Sequence, residues 1–277
     1  MRVQTYNSLS RFLIKSEDFL LENEVVNNLF WELLAASNKM PKTNQWAGNV
    51  MNKGKIQLSA IRTVSNYLLI SDGSSSAVQH LSNYAKRKKW NIKGVSGPGK
   101  GTLYFSKHWF NGSDDQDLGR KIFSIYASSG QLRTKKEEKH FLLKKVGKNE
   151  WPKARMWAIQ FALESTPQLN TSAIINTARN MMKAGNLFFL QREGLGSCGM
   201  AGIGRKTKNY KVINLVYVPK EERGKKYAQK MILKILRVTK DKYFPRYLLF
   251  SDYKREENLY EKAGFQFKSE YCESMFY

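Results

Sequence analysis

Residues 212–236 constrain the fold of this chain most, because their pattern predicts a strand, a tight turn and a helix in direct succession. The strand is the run VINLVYV, rich in β-branched residues, and Pro219 ends it. Residues 220–224 make a polar turn, after which apolar residues recur at helical spacing. Unpaired amides and the helix dipole at such a helix start attract anions, so the pattern predicts a phosphate-binding turn around Gly224. Alone, the segment would also suit the framework of any α/β protein.

A second block near the C-terminus favours the phosphate-binding interpretation. The apolar strand at residues 247–251 is followed by the sequence EENLYEKAGF at residues 256–265. Together the two blocks resemble the GNAT superfamily of acyl-CoA-dependent N-acetyltransferases. Members carry an Arg/Gln-x-x-Gly-x-Gly/Ala turn that cradles the CoA pyrophosphate, and later a Leu-Tyr-Glu-Lys-x-Gly-Phe block that residues 259–265 match closely.

Two positions of the turn depart from the family pattern. Lys226 stands where the family has its second glycine, which leaves the backbone N–H usable if the residue takes a helical conformation. Glu221 stands where the family has Arg or Gln, and its carboxylate would repel a pyrophosphate unless it points outward.

The resemblance implies an acetyl-CoA site and direct attack of an amine on the acetyl group. Its cofactor-binding residues are expected to be Val216, Tyr217, Val218, Arg223, Gly224, Lys225, Lys226, Tyr227, Ala228 and Asn258. Tyr260 matches the family's tyrosine that protonates the departing thiolate, and a packed core aromatic is the alternative. Asp252 and Glu193 are candidates for a general base. Cys198 is not expected to act as a nucleophile, because no histidine lies near it in sequence.

The chain is expected to contain two copies of one fold. Residues 137–277 read as two helices, three strands, the phosphate turn with its helix, a strand, a short helix and terminal strands, which fits the GNAT topology. Residues 1–136, beginning with a helix at residues 25–36, repeat this order without the phosphate turn and resemble a degenerate copy. The predicted fold class is α/β (α+β): tandem GNAT-like domains, each a mixed, mostly antiparallel central sheet flanked by helices. The full chain resembles bacterial two-GNAT-domain predicted acetyltransferases.

Two further segments of the N-terminal half could suggest phosphate binding. Residues 72–76, DGSSS, follow its third strand and suit a serine helix cap better than a phosphate site. Residues 97–101, GPGKG, lack the Walker spacing and are predicted to form a turn.

Charge and composition limit the partners. The net charge is +24 and is spread over both halves, which suits general solubility or an acidic partner such as nucleic acid, an anionic membrane, an acidic protein or CoA itself. The run KRKK at residues 86–89 closes a predicted helix, where the dipole favours cations, so a nucleic-acid patch is not favoured there. No apolar run approaches the ~20 residues that a membrane helix needs.

Cysteine and histidine usage points to a cytoplasmic protein without a metal site. The two cysteines cannot build a disulfide framework, and His80, His108 and His140 stand apart from one another. The N-terminus has no signal-peptide pattern.

Three functions are compatible with the sequence. The first is N-acetyl transfer from acetyl-CoA to a protein lysine, an N-terminus or a small-molecule amine. The others are a non-catalytic acyl-CoA-binding or interaction module, and transfer of an amino acid from aminoacyl-tRNA, which the basic charge would suit. The acceptor is left open, because the pocket that selects it lies in loops.

Overall fold

The structure is a computed structural model, and it describes residues 1–36, 45–112, 117–128, 140–165, 168–239, 246–251 and 258–276. The chain forms two compact units, one of Met1–Ile125 with Lys268–Tyr277, the other of Tyr126–Phe267. The sequence placed a single boundary between residues 136 and 137, which lies outside the described residues. The C-terminal residues belong to the first unit because the end of the chain pairs with residues 94–98.

The first unit is an antiparallel sheet with one parallel pair. Its elements are β1 (Arg2–Tyr6), α1 (Leu9–Glu22), α2 (Leu29–Ala36), β2 (Trp46–Asn52), β3 (Lys55–Arg62), β4 (Tyr67–Ile70), α3 (Ser75–Arg87), β5 (Gly94–Pro98), α4 (Gly99–Trp109) and most of β6 (Asp117–Ser128). Strands β1 to β4 pair antiparallel in sequence order, and β4 pairs with β5 in parallel. The last strand of the chain, β12 (Phe265–Phe276), pairs antiparallel with β5.

The second unit has the same order of elements. These are β7 (Phe141–Lys145), α5 (Trp151–Glu164), α6 (Thr171–Lys183), β8 (Leu187–Arg192), β9 (Gly196–Lys206), β10 (Tyr210–Tyr217), α7 (Tyr227–Val238), β11 (Arg246–Ser251) and α8 (Leu259–Lys262). Strands β7 to β10 pair antiparallel and β10 pairs with β11 in parallel. The predicted fold class, a mixed and mostly antiparallel sheet flanked by helices, is confirmed. Among the described residues, no helix is both long enough and apolar enough to span a membrane.

Helices cover both faces of the sheet in the second unit. Along β8, Phe188 and Leu190 pack in the core that contains α7, whereas Leu187 and Phe189 pack in the core that contains α5 and α6. These four consecutive residues of β8 are apolar because neither face of the sheet meets water there. Full burial of each of these side chains contributes about 1.5–3 kcal/mol, so the two cores hold α7 and the α5–α6 pair to the sheet.

Four parts of the sequence prediction differ from the structure. Strands β1 and β7 and helix α1 were not predicted, although Ser8 caps α1 and its residues Leu9, Phe12 and Leu20 are buried at helical spacing. The turn predicted at residues 97–101 is wrong, because β5 runs to Pro98 and α4 begins at Gly99. The Thr102 hydroxyl fixes that helix start, lying 3.1 Å from the Pro98 carbonyl oxygen and 2.9 Å from that of Gly99.

Candidate functional site

Strand β10 departs from regular strand geometry at Leu215. Leu215 has a φ of +54°, and the pairing register with β9 shifts between Asn214 and Tyr217. Regular alternation would place Ile213 and Leu215 on one face of the sheet. Instead, Ile213 packs in the α7 core and Leu215 in the α5–α6 core. Leu215 therefore lies in a β-bulge, a feature that bends a strand and redirects its backbone.

The parallel ladder between β10 and β11 ends just before this bulge. It pairs Tyr210 with Arg246 at one end and Ile213 with Leu249 at the other. The remaining residues of β10 lead from the ladder to the turn before α7. A strand segment that leaves its ladder can offer backbone groups to an extended ligand, which binds as an added strand.

The turn between β10 and α7 contains two residues with positive φ. A short 3-10 helix, Lys220–Glu222, is followed by Gly224 with φ of +79° and Lys226 with φ of +61° and ψ of +22°. The right-handed helical conformation considered above for Lys226 is not the one it adopts, since its backbone is left-handed. A non-glycine residue in this region costs roughly 1–2 kcal/mol, which explains why the family pattern has a second glycine here. Glu221 is exposed.

The start of α7 lacks the side-chain cap that four other helix starts have, as do the starts of α4 and α5. Side chains accept hydrogen bonds from first-turn amides at α1, α3, α6 and α8, where the capping residues are Ser8, Ser74, Asn170 and Asn258. Lys226 precedes α7 and its ammonium cannot accept, and within the described ranges no side chain caps this helix. The unpaired amides and the positive end of the helix dipole thus face the turn, where an anion would satisfy both.

Replacing Lys226 with glycine is expected to stabilise the protein, because glycine adopts positive φ without steric cost. The free energy of unfolding, measured by urea denaturation, should rise by about 0.5–1 kcal/mol, since the extra entropy of glycine in the unfolded chain offsets part of the relieved strain. Lys220→Gly is the control, because Lys220 lies in the 3-10 helix and should only lose stability. Equal losses in both variants would contradict a left-handed Lys226.

Arg223 connects the turn to the end of α5. Its guanidinium forms an ion pair with Glu164, and its Nε donates to the carbonyl oxygen of Val218 at 2.9 Å. The Tyr217 hydroxyl lies 3.0 Å from Oε1 of both Glu164 and Gln160. Burial, reinforced by the hydrogen bond to Glu164, raises the pKa of Tyr217 to about 12. Arg223 and Tyr217 therefore brace the turn with their side chains, and neither Gln160 nor Glu164 was predicted to take part.

The state of Glu164 decides whether this bracing holds. Burial acts to raise the pKa of its carboxyl, but hydrogen bonds from Arg223 and Tyr217 outweigh burial and leave that pKa below its ordinary value. A carboxyl with a lowered pKa contributes its stabilisation above the ordinary pKa and loses it as pH falls through the lowered one. The brace is therefore formed at neutral pH.

Asn258 and Tyr260 lie together at the start of α8. The Asn258 side chain is 3% exposed: its Oδ1 accepts from the amides of Tyr260 at 2.9 Å and Glu261 at 3.1 Å, and its Nδ2 donates to the Tyr126 hydroxyl at 2.7 Å. The Tyr260 ring is 9% exposed, and its centroid lies 5.7 Å from that of Tyr126. The Asn258 side chain thus fixes the start of α8. Tyr126 was missed by the sequence analysis because it lies far away along the chain.

The remaining sequence candidates occupy different surroundings. Asp252 lies outside the described residues. Glu193 is exposed and lies 3.3 Å from His140 in an ion-pair geometry. Cys198 is buried, its Sγ donates to the Leu190 carbonyl oxygen at 3.4 Å, and burial raises the pKa of its thiol to about 11. A thiol with that pKa is protonated at neutral pH and is a poor nucleophile.

Comparisons with known proteins identify the fold. No protein-family model matches the chain, and no curated protein does. A GNAT-family acetyltransferase from Colwellia psychrerythraea matches with a TM-score of 0.60 and 12% identity, covering 100% of both chains. A GCN5-related N-acetyltransferase from Sphaerobacter thermophilus matches with a TM-score of 0.57 and 12% identity over 88% of this chain and 84% of its own.

A third similar structure is a GCN5-related glucosamine N-acetyltransferase region of a fungal multi-domain GH3 β-N-acetylglucosaminidase. Its TM-score is 0.55 and its identity 12%, over 99% of this chain and 38% of the fungal chain. Over nearly its whole length, the chain therefore has the fold of solved GNAT acetyltransferases. Sequence identities this low establish similarity of fold only.

Proposed function

We propose that the second unit is an N-acyltransferase that moves an acetyl group from acetyl-CoA to an amine. The uncapped start of α7 carries this proposal, because it follows a bulged strand whose parallel ladder has just ended. In the fold shared with solved acetyltransferases, this combination supplies an anion site next to free strand backbone. The residues fit a pyrophosphate: Gly224 leaves the turn open, with nothing within 4 Å of the position its Cβ would take.

The chain's own residues would divide the work as follows. Backbone amides of residues 224–228 hold the pyrophosphate, and backbone groups of Val216 and Val218 hold the pantetheine. Arg223 keeps the turn in place through Glu164. Bound acetyl-CoA supplies an acetyl thioester, which a deprotonated amine attacks. The Tyr260 hydroxyl then gives a proton to the departing thiolate, whose unperturbed pKa is near ~8.5.

A non-catalytic acyl-CoA-binding module would use the same turn without turnover. The two functions are separated by measuring thiol release from acetyl-CoA with a panel of amines. The panel contains lysine peptides, N-terminal peptides, polyamines and amino sugars. If acetyl-CoA binds but none of these amines causes thiol release, the result would support the non-catalytic module. Amine-dependent release identifies the enzyme and the acceptor class together.

The proposal predicts one acetyl-CoA site per chain. In the first unit, the Ser74 hydroxyl accepts from the Ala77 amide at 3.3 Å and so caps α3, and the Asp72 carboxylate accepts from the Gly73 amide at 3.1 Å. This turn satisfies these two amides internally and places a carboxylate where a phosphate would bind. Calorimetry should give a stoichiometry near one acetyl-CoA per chain. The intact chain is used because the end of β12 belongs to the first unit, so the units cannot be cut apart at one point.

Ser74→Ala is the control for this count, because it uncaps α3 but leaves α7 unchanged. We expect the variant to lose about 1 kcal/mol of stability while the stoichiometry and the Kd stay the same. Two equivalent sites, or a changed Kd in Ser74→Ala, would count against a single site at α7.

A further inference from the structure

The first unit carries a cluster of aromatic rings where α3 ends. The ring of Trp90 lies edge-on to two others: its centroid is 4.7 Å from that of Trp46 and 5.7 Å from that of Tyr84. All three side chains are half-buried, so they rest on the core and also face solvent. The Arg62 guanidinium lies 4.6 Å from the centroid of Trp90, and the Lys88 ammonium lies 5.9 Å from that of Tyr84. The end of α3 therefore presents rings and cations together.

A strained backbone places Trp90 in this cluster. The Trp90 amide donates to the Ala85 carbonyl oxygen at 3.1 Å, and the Lys89 amide donates to that of Lys86 at 2.9 Å, which is the hydrogen-bond pattern of a Schellman motif. Lys89 occupies the left-handed position of the motif, with a φ of +52°, where glycine is the usual residue. A side chain at positive φ has a steric cost. Lys89 thus keeps a cation at a position where the fold alone would favour glycine.

The helix dipole explains only the first half of the KRKK run. Its first two residues lie in the last turn of α3, and the Lys86 ammonium donates to Asn111 Oδ1 at 2.7 Å. Lys88 is the C-cap, Lys89 follows it, and both are exposed. Among the residues that the structure describes, no carboxylate forms an ion pair with Lys88 or Lys89. With the three rings and Arg62, these two lysines make up the α3-end surface.

Carboxylates are scarce around the α3-end surface. Residues 45–112 contain ten basic residues and one acidic residue, Asp72. Asp72 lies just before α3, whose 13 residues separate its two ends by about 20 Å. The acidic residues of α1 lie with that helix on the other face of the sheet: Asn49 donates to the Ser16 hydroxyl of α1 at 2.9 Å, and Asn49 is three residues from Trp46 on β2. The surface therefore has a positive field that attracts a polyanion.

We propose that the α3-end surface binds a single strand of nucleic acid, with Arg62, Lys88 and Lys89 on phosphates and the solvent-facing side of the three rings against unpaired bases. Proteins bind single strands through basic surfaces that carry aromatic rings, because such strands expose both phosphates and base faces. A duplex hides its base faces and an acidic peptide has none, so the rings favour a single strand over both. The inference is independent of the proposed function, since all of these residues belong to the first unit.

Fluorescence anisotropy of a labelled oligouridylate of about 12 nucleotides tests the binding on the intact chain. Each phosphate contact to a single strand contributes about −0.7 to the slope of log K against log salt concentration, so three contacts predict a slope of about −2. Trp90→Leu should weaken binding of the single strand by about tenfold and binding of a duplex of equal length much less, because only unpaired bases stack on the rings.

Lys89→Gly separates a binding role from a structural one. The substitution relieves the positive φ, so the urea midpoint should rise. It also removes one phosphate contact, so binding should weaken about fivefold at about 0.1 M salt. Lys53→Gly is the matched control: Lys53 has a φ of +47°, but it lies in the β2–β3 turn, about 20 Å from Trp46 along β2. This variant should raise the midpoint and leave binding unchanged.

Three results would overturn the proposal. The first is no binding of the oligouridylate at about 0.1 M salt. The second is an equal loss of binding in Lys89→Gly and Lys53→Gly, which would assign the binding to the net charge of the whole chain. The third is polyglutamate binding with the same sensitivity to Trp90→Leu, which would assign the surface to acidic proteins. If Trp90→Leu does not fold, the comparison of the two lysine variants decides alone.

Discussion

Gly224→Asp is expected to abolish acetyl-CoA binding and leave the protein folded. Gly224 has a φ of +79°, and a Cβ added there meets no atom within 4 Å. The only cost to stability is therefore that of placing a non-glycine residue at positive φ. Aspartate tolerates this region better than most residues, and the loss should be about 1 kcal/mol. The new carboxylate would lie at the helix start that is proposed to hold the pyrophosphate, so Kd should rise by at least ~100-fold, or about 2.7 kcal/mol.

Gly54→Asp is the matched control for this experiment. Gly54 has a φ of +80° and also has nothing within 4 Å of an added Cβ, but it lies in the β2–β3 turn of the first unit. The two variants should lose similar stability by urea denaturation, while only Gly224→Asp should lose binding by calorimetry. A Gly224→Asp protein that binds acetyl-CoA within about threefold of wild type, under ~1 kcal/mol, would place the cofactor site elsewhere.

The parts of the fold predicted best are those fixed by local pattern. Helix α5 was predicted with its observed bounds, because its apolar residues recur at helical spacing and Ser165 and Pro167 follow it. Helix α4 shows the limit of such reasoning. Its glycine-rich first turn reads as a loop by propensity, yet contacts of its buried residues Thr102 and Phe105 with the rest of the unit outweigh the cost of the glycines.

The part of the candidate site that is formed by local backbone could be predicted from the sequence. The part that depends on contacts between residues far apart in the chain could not. The turn around Gly224 follows from spacing alone. The Arg223–Glu164 ion pair and the Asn258–Tyr126 hydrogen bond join residues that are 59 and 132 positions apart, so no local pattern encodes them. The left-handed backbone at Lys226 was also missed, because lysine gives no signal for positive φ.

The two units show how a single capping residue separates similar helix starts. Both α3 and α7 follow the strand that pairs in parallel with the next one along the chain. Ser74 caps α3, whereas Lys226 cannot cap α7. In the first unit a side chain thus occupies the helix start that an anion would need, which leaves α7 as the place where we propose that anion binding and thioester chemistry meet.

Tyr260→Phe should lower kcat by about 10²-fold, at the low end for general acid catalysis, with little change in the Kd of acetyl-CoA. The substitution keeps the ring that packs in the α7 core with Ala263 and Phe265 and removes only the hydroxyl. If that hydroxyl protonates the thiolate, the loss should shrink with an acyl donor whose thiol leaves more readily, because a better leaving group needs less protonation. The measurement uses the acceptor found in the amine panel, under conditions where the chemical step limits the rate.

Tyr126→Phe is the matched control, because it removes a hydroxyl from the neighbouring ring. That hydroxyl accepts a hydrogen bond from Asn258 at 2.7 Å, so its loss should cost about 1 kcal/mol of stability and change kcat much less than Tyr260→Phe does. Equal effects of the two variants on kcat, with equal losses of stability, would show that both hydroxyls only hold α8 in place. An unchanged kcat in Tyr260→Phe would make Tyr260 a packing residue and leave protonation of the thiolate to solvent or to a backbone donor.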